Sequence, residues 1–179
     1  MSAGLLERER TVLVVVDVQE AFRKAVADFD TVAAHAATLV RGARALDLPI
    51  IVTEQYPRGL GDTVPEVVEH LGATQRLPKT VFSAARADGF DLGGRDQALV
   101  CGVEAHVCVA QTVLDLLAAG VDVQVAGDAT ASRRAADRDT GLHRMERAGA
   151  TLTGVEAALF ELLGEAGSPE FKTIQELIR

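Results

Sequence analysis

Aromatic residues are scarce in this sequence, and tryptophan is absent. Only 4% of the 179 residues are aromatic, whereas 48% are hydrophobic and 25% are charged. A core with few large rings must be filled mainly by Ala, Val, Leu and Ile, which favours helices packed on a buried sheet. A chain of this length can bury one such core. The sequence therefore predicts a single domain spanning residues 1–179.

A basic excess is also lacking, because the net charge is −8. Nucleic acids and anionic membranes bind basic faces, so we expect neither as a partner. The longest apolar run, residues 12–16, is too short to span a bilayer, and residues 1–10 contain no apolar segment of a signal peptide. With only two cysteines, the chain is not a disulfide scaffold. These features predict a reducing, cytoplasmic location.

Motifs for metals and large cofactors are missing. The four histidines are scattered, and no two have the spacing of metal ligands. No P-loop is present, and the glycine pair at residues 59–61 lies in a long loop instead of directly after the first strand. We therefore expect no metal and no cofactor.

Short β-branched runs alternate along the chain with amphipathic stretches. The runs cover residues 11–17, 49–53, 97–101, 121–126 and 150–153. The amphipathic stretches cover residues 30–46, 105–119, 135–148 and 155–163, and a short terminal helix is expected after Pro169. Continuous apolar runs are typical of strands buried on both faces, and their alternation with helices indicates βαβ units. The predicted fold class is α/β, with a doubly wound, mostly parallel sheet and helices on both faces.

Three reactive side chains fall near the expected carboxyl ends of strands, where open α/β sheets bind ligands. Asp17 ends the first run, Lys79 follows Pro78, and Cys108 lies in the segment after the run at residues 97–101. A thiol near the start of a helix and beside a lysine is favoured as thiolate, and a carboxylate could take its proton. The pattern predicts that these three groups meet.

Each of these residues also has a purely structural interpretation. Cys108 could be a small core residue, since free cysteines are often buried. Asp17 could cap a turn with Gln19, and Lys79 could be an ordinary surface lysine. Cys101 ends an apolar run, which favours a place in the core.

Four blocks of the sequence resemble the isochorismatase-like cysteine hydrolases, which include nicotinamidases and N-carbamoylsarcosine amidohydrolases. The blocks are residues 13–22, 78–84, 101–109 and 126–133. They occur in the family's order, and the resemblance covers residues 11 to about 160, nearly the whole chain. It implies a Rossmann-like, three-layer fold around a six-stranded sheet.

The resemblance also implies roles for individual residues. Asp17 would be the general base, and Lys79 would keep it ionised and stabilise the thiolate. Cys108 would attack a carbonyl carbon and form a thioester. A cis peptide bond would join Val103 to Glu104, and backbone N–H groups of Glu104 and Cys108 would face the oxyanion.

The same resemblance implies a small-molecule substrate and a homo-oligomer, either a dimer or a tetramer. Phe22 and Tyr56 would be walls of the substrate pocket, together with Gln19. His106, two residues before the nucleophile, could line the pocket too, although a surface or capping role is equally open.

Two departures from the family narrow the activity. Nicotinamidases bind a metal through Asp and His residues after the second strand, but residues 54–61 contain no histidine here. Isochorismatases lack the nucleophilic cysteine, so Cys108 argues against isochorismate as substrate. The leading hypothesis is an amidase or related C–N hydrolase. The alternative is a non-catalytic or redox-responsive oligomeric binding protein that keeps the fold.

Overall fold

The computed structural model describes residues 4–179 and contains one parallel sheet of six strands in this range. The strands are β1 (Thr11–Val16), β2 (Ile50–Gln55), β3 (Arg76–Lys79), β4 (Gln97–Val103), β5 (Asp122–Ala131) and β6 (Thr151–Thr153). Their order across the sheet is β3-β2-β1-β4-β5-β6, which confirms the doubly wound α/β fold. The first three residues of the predicted domain and of segment 1–10 lie outside the described residues.

Helices connect the strands and cover both faces of the sheet. They are α1 (Phe29–Ala45), α2 (Pro57–Leu60), α3 (Pro65–Val68), α4 (Ala110–Ala118), α5 (Ala135–Ala148), α6 (Val155–Leu163) and α7 (Phe171–Leu177). Two 3₁₀ turns, Glu20–Lys24 and Ala84–Arg86, and one π turn, Ala105–Val109, complete the elements. The predictions for α5 and α6 match residue for residue. The helix predicted over 105–119 instead begins with the π turn, which holds Cys108.

Strand β1 lies in the middle of the sheet and is buried on both faces. Leu13 and Val15 belong to the core under α1, α6 and α7, whereas Val12, Val14 and Val16 belong to the core under α4 and α5. This double burial explains why the strand reads as an unbroken apolar run and not as an alternating pattern.

Strand β3 was not among the predicted apolar runs, because its four residues include Pro78 and only one aliphatic side chain. It forms an edge of the sheet and pairs only with β2, where a residue without an N–H group is tolerated. The pairing places Lys79 opposite Gln55 at the carboxyl ends of the two strands. Lys79 is therefore the last residue of β3, and Asp17 is the first residue after β1, so both lie at the carboxyl end of a strand.

Two close backbone approaches position the elements around this edge. Gly102 has φ +128°, and a Cβ there would overlap the carbonyl oxygen of Val16. Gly141 of α5 lies against the π turn, so that a Cβ would come within 2.8 Å of backbone atoms of Ala105 and His106. The absence of a side chain at Gly141 thus lets α5 pack directly on the turn that carries Cys108.

The part of the chain that the structure describes contains no helix that could span a membrane. None of its helices has both the length and the apolar character needed to cross a bilayer.

We predict that Gly141→Ala destabilises the protein, because the added methyl group must push the π turn away from α5. Overpacking of this kind lowers the free energy of unfolding by about 1–3 kcal/mol. Urea denaturation measures the change. Gly167→Ala is the control, since a Cβ at Gly167 would meet no atom within 4 Å. Equal stability of the two variants would show that the α5 contact does not constrain the turn.

Candidate active site

Asp17 and Lys79 form an ion pair that solvent does not reach. Lys79 Nζ lies 2.7 Å from Asp17 Oδ2, and both side chains are 0% exposed. The other carboxylate oxygen, Oδ1, accepts a hydrogen bond from the Thr53 hydroxyl at 2.7 Å. Asp17 takes up a left-handed conformation with φ +54°, which aspartate adopts more readily than most residues. The predicted acid and amine are therefore in direct contact.

Four oxygen acceptors surround the Lys79 ammonium group. Besides Asp17, it donates to Gln55 Oε1 at 2.7 Å and to the carbonyl oxygen of Phe82 at 2.9 Å. A longer contact of 3.3 Å reaches the carbonyl oxygen of Val81. An ammonium group has three N–H donors, so its hydrogen-bonding capacity is filled. Lys79 is not the surface residue of the alternative interpretation.

Cys108 joins this pair from the π turn after β4. Its sulfur lies 4.0 Å from Gln55 Oε1, and the residue is buried. Burial and the negative charge of Asp17 raise the pKa of the Cys108 thiol, Lys79 lowers it, and the net result is a pKa of about 12. Lys79 favours the thiolate, as the sequence analysis expects, but burial and the charge of Asp17 outweigh it. The resting group is a thiol beside a carboxylate.

A cavity of about 480 Å³ opens in front of the sulfur atom. Its lining residues are Ala21, Phe22, Ala25, Gln55, Leu60, Phe82, Glu104, Val107, Cys108 and Arg133. Most of these side chains are apolar, and Phe22 is among them as predicted. The cavity lining is therefore mostly apolar, with Gln55, Glu104 and Arg133 as its polar side chains beside the Cys108 thiol.

The Val103–Glu104 peptide bond is cis, and Glu104 lines the cavity. The Glu104 side chain accepts two hydrogen bonds at 2.9 Å, from the backbone N–H and the Nε–H of Arg133. Burial alone would raise the pKa of Glu104, but these hydrogen bonds and the charge of Arg133 lower it on balance. Glu104 is thus an ionised residue that ties the β4 end to the segment after β5.

Three residues predicted to line the pocket lie elsewhere. Tyr56 is 55% exposed and borders a neighbouring groove with Pro57 and Pro78. The His106 ring forms a 3.0 Å hydrogen bond with the Ser132 hydroxyl and is not among the residues that line the cavity. Their sequence proximity to the site gave no information on side-chain direction, which a left-handed residue and a π turn both change.

Gln19 is the third of these corrections. It is fully buried, and its amide nitrogen donates to the carbonyl oxygens of Gln55 and Gly61 at 3.0 and 2.7 Å. Its amide oxygen accepts the backbone N–H of Gln55 at 2.7 Å. Gln19 therefore holds the end of β2 and does not face the cavity.

Gln55 and Thr53 are site residues that the sequence analysis missed. Both lie at the carboxyl end of β2, one on each side of Glu54. They touch Lys79 and Asp17, respectively. Alternation along the strand could have found them, because residues two apart face the same side of a sheet.

Glu54 occupies the region where nicotinamidases place metal ligands, but its carboxylate is already engaged. Its Oε1 accepts from both the backbone N–H and the hydroxyl of Thr63 at 2.7 Å, and lies 3.6 Å from Arg76 Nε. Within residues 4–179, no three His, Cys, Asp or Glu side chains are grouped as metal ligands.

Comparison with known proteins gives a consistent result for this fold and site. The family model of the isochorismatase domain matches residues 11–157. Isochorismatase domain-containing protein 2 of Macaca fascicularis is 44% identical over 174 residues, covering 94% of this chain and 83% of the relative. The chain belongs to the isochorismatase family.

Two solved structures of similar proteins share the fold over nearly their whole length. The MAR1 ribonuclease from Caenorhabditis elegans has a TM-score of 0.92 and 39% identity, covering 98% of this chain and 92% of that one. YcaC from Pseudomonas aeruginosa, solved with hexane-2,5-diol and covalent acrylamide, has a TM-score of 0.88 and 28% identity, covering 99% and 93%.

The isochorismatase-family match contains all the elements that build the site. It begins with β1 and ends in α6, so Asp17, Lys79 and Cys108 all lie inside it, and only α7 lies wholly beyond it. Membership gives the chain a hydrolase-type fold. Family membership does not by itself assign roles to Asp17, Lys79 and Cys108.

We predict that Lys79→Met is strongly destabilising, because it leaves the Asp17 carboxylate buried and unpaired. Breaking a buried ion pair in this way lowers the free energy of unfolding by about 3–5 kcal/mol. Urea denaturation should also show partial recovery in the double variant Asp17→Asn/Lys79→Met. The control is Arg86→Met, which breaks a solvent-exposed pair with Asp115 and should change stability little. Equal losses in both single variants would contradict this interpretation.

Proposed function

We propose that the protein is a cysteine hydrolase that cleaves the C–N bond of a small amide or carbamoyl compound. The observation that carries the proposal is the buried Asp17–Lys79 pair beside the Cys108 thiol at the end of one cavity. A nucleophile, a group that can take its proton and a cation that holds this group in place are the parts that such a reaction needs.

The first half of the reaction forms a thioester. Asp17 takes the proton of Cys108 as the sulfur attacks the carbonyl carbon of the substrate, and an oxyanion develops. Backbone N–H groups of Glu104 and Cys108 are the donors proposed for this oxyanion. Asp17 then passes the proton to the nitrogen, the C–N bond breaks, and ammonia or an amine leaves. Because the resting thiol is protonated, proton transfer and attack are coupled.

The second half restores the thiol. Asp17 takes a proton from a water molecule, which attacks the thioester carbon. The C–S bond breaks, Cys108 regains the proton, and the product is a carboxylic or carbamic acid. Lys79 stays charged throughout and keeps Asp17 in position.

The cavity walls favour a substrate with a compact apolar acyl part. Phe22, Leu60 and Phe82 supply most of the apolar surface, and Gln55, Glu104 and Arg133 supply the polar groups. The similar YcaC protein from Pseudomonas aeruginosa carries a covalent acrylamide, which is a small amide, and this makes acrylamide a reasonable member of a substrate panel. A homo-oligomer, dimer or tetramer, and a cytoplasmic location stay predictions.

RNA cleavage is the second candidate, favoured by the similarity to the MAR1 ribonuclease from Caenorhabditis elegans. The net charge of −8 opposes it, because this chain lacks the basic excess that phosphate backbones attract. A binding protein without turnover is the third. Both are separated from the amidase by the same assays.

Cys108→Ala should abolish amide hydrolysis while the fold is kept, because the attacking sulfur is removed. We expect ammonia release from members of a panel of small amides and carbamoyl compounds by the wild type only. Cys101→Ala is the matched control, since Cys101 lies in the core on β4 and should retain activity. A fluorescent RNA is tested in parallel. Turnover of an amide by Cys108→Ala would refute the mechanism, and cleavage of RNA alone would favour the ribonuclease.

Asp17→Asn should separate thiol reactivity from turnover. Asp17 raises the pKa of the Cys108 thiol, so loss of the charge should lower this pKa and speed alkylation by iodoacetamide at pH 8. The same variant should lose amide hydrolysis, because no group remains to take the proton. Circular dichroism verifies folding. Turnover at the wild-type rate would show that Asp17 is not the base, and slower alkylation would show that the Asp17 charge does not raise the pKa of the thiol.

A further inference from the structure

The hydrogen bonds of Lys79 leave no N–H group for the sulfur atom. Three N–H donors face acceptors at 2.7, 2.7 and 2.9 Å, which are oxygens of Asp17, Gln55 and Phe82. Lys79 lowers the pKa of Cys108 through its charge and through a side-chain contact with the sulfur. Because its three N–H groups have closer oxygen acceptors, a well-aligned hydrogen bond to a thiolate requires that one of these oxygen contacts opens. Of the three acceptors, only Gln55 Oε1 is a neutral side-chain group that lines the cavity.

Both backbone hydrogen-bonding groups of Gln55 are bound by the side chain of Gln19. Gln19 accepts its N–H at 2.7 Å and donates to its carbonyl oxygen at 3.0 Å. The Gln55 side chain is held more lightly, since its amide nitrogen donates at 3.0 Å to the carbonyl oxygen of Thr80 in an exposed contact. A fixed backbone therefore presents a side chain that can turn at the edge of the cavity.

We propose that Gln55 is a positioning residue that holds one Lys79 N–H in the resting site and releases it to the sulfur when substrate enters. Gln55 Oε1 lies between the two groups, 2.7 Å from Lys79 Nζ and 4.0 Å from Cys108 Sγ. Displacement of the amide lets the freed N–H stabilise the thiolate as Asp17 takes the proton. The catalytic role given to Gln55 rests on the proposed function, whereas the experiment that tests it needs no turnover.

The charged groups around the thiol are few, so the effect of Gln55 can be isolated. Asp17 faces the sulfur from the end of β1, and Lys79 faces it from the end of β3. Glu104 and Arg133 line the same cavity and are paired with each other. His106, on the same turn, is directed to Ser132.

The test is the pH profile of Cys108 alkylation by iodoacetamide in the intact protein, with the modified residue identified by mass spectrometry. Gln55→Leu removes the acceptor, frees one Lys79 N–H and should lower the thiol pKa. One unit raises the thiolate fraction about tenfold. Since a less basic thiolate is a weaker nucleophile, the rate at pH 8 should rise about three- to fourfold. Gln55→Glu keeps the shape, adds a carboxylate beside the sulfur and should slow alkylation.

Gln111→Leu, on the exposed side of α4, is the control and should leave the profile unchanged. If Gln55→Leu does not fold, the isosteric Gln55→Glu decides by itself. Profiles of the Gln55 variants that match the wild type, or slower alkylation in Gln55→Leu, would overturn the proposal. Alkylation needs no turnover, so these outcomes are distinct from the failure of every amide substrate, which would remove the proposed function instead.

Discussion

The ion pair between Asp17 and Lys79 is the constraint on which the rest of the site depends. Two charges removed from water lose several kcal/mol of hydration each, and their attraction compensates only when the remaining polar groups also find partners. Thr53, Gln55 and the Phe82 carbonyl oxygen supply these partners. They come from β2 and from the segment after β3, so the pair is stable only when three strand ends lie in register.

The order of the strands makes this register possible. β1 lies between β2 and β4, and the chain winds in opposite directions on its two sides, so a crevice forms at the carboxyl ends. Asp17 enters the crevice from β1, and Cys108 enters from the turn after β4. Gly102 and Gly141 bring the neighbouring backbones close enough for these side chains to meet. Packing of the core and chemistry of the site therefore depend on the same contacts.

The sequence was most informative where one physical requirement dominated. The run at residues 11–17 predicts β1 because a strand buried on both faces needs such a pattern, and the last residue of the run is Asp17. β3 was not predicted, because it is an edge strand that tolerates Pro78. Its four residues are also too few to show a periodic pattern. Gln19 and Gln55 could not be told apart, since which amide faces a cavity is decided by the tertiary fold. Tyr56 has a left-handed backbone and lines a neighbouring groove, which the sequence does not indicate.

Burial alone does not distinguish the two cysteines. Burial raises the pKa of both Cys101 and Cys108 to about 12, so neither thiol is ionised at rest. Cys108 differs from Cys101 in its surroundings. It lies beside a carboxylate that could take the proton, an ammonium group that could stabilise the anion and a cavity from which a carbonyl carbon could approach. A thiolate in this setting need exist only while a bond is forming, and the apolar walls protect it from water. The same walls would make a permanent thiolate expensive to maintain, because a charge without solvent requires a full set of partners.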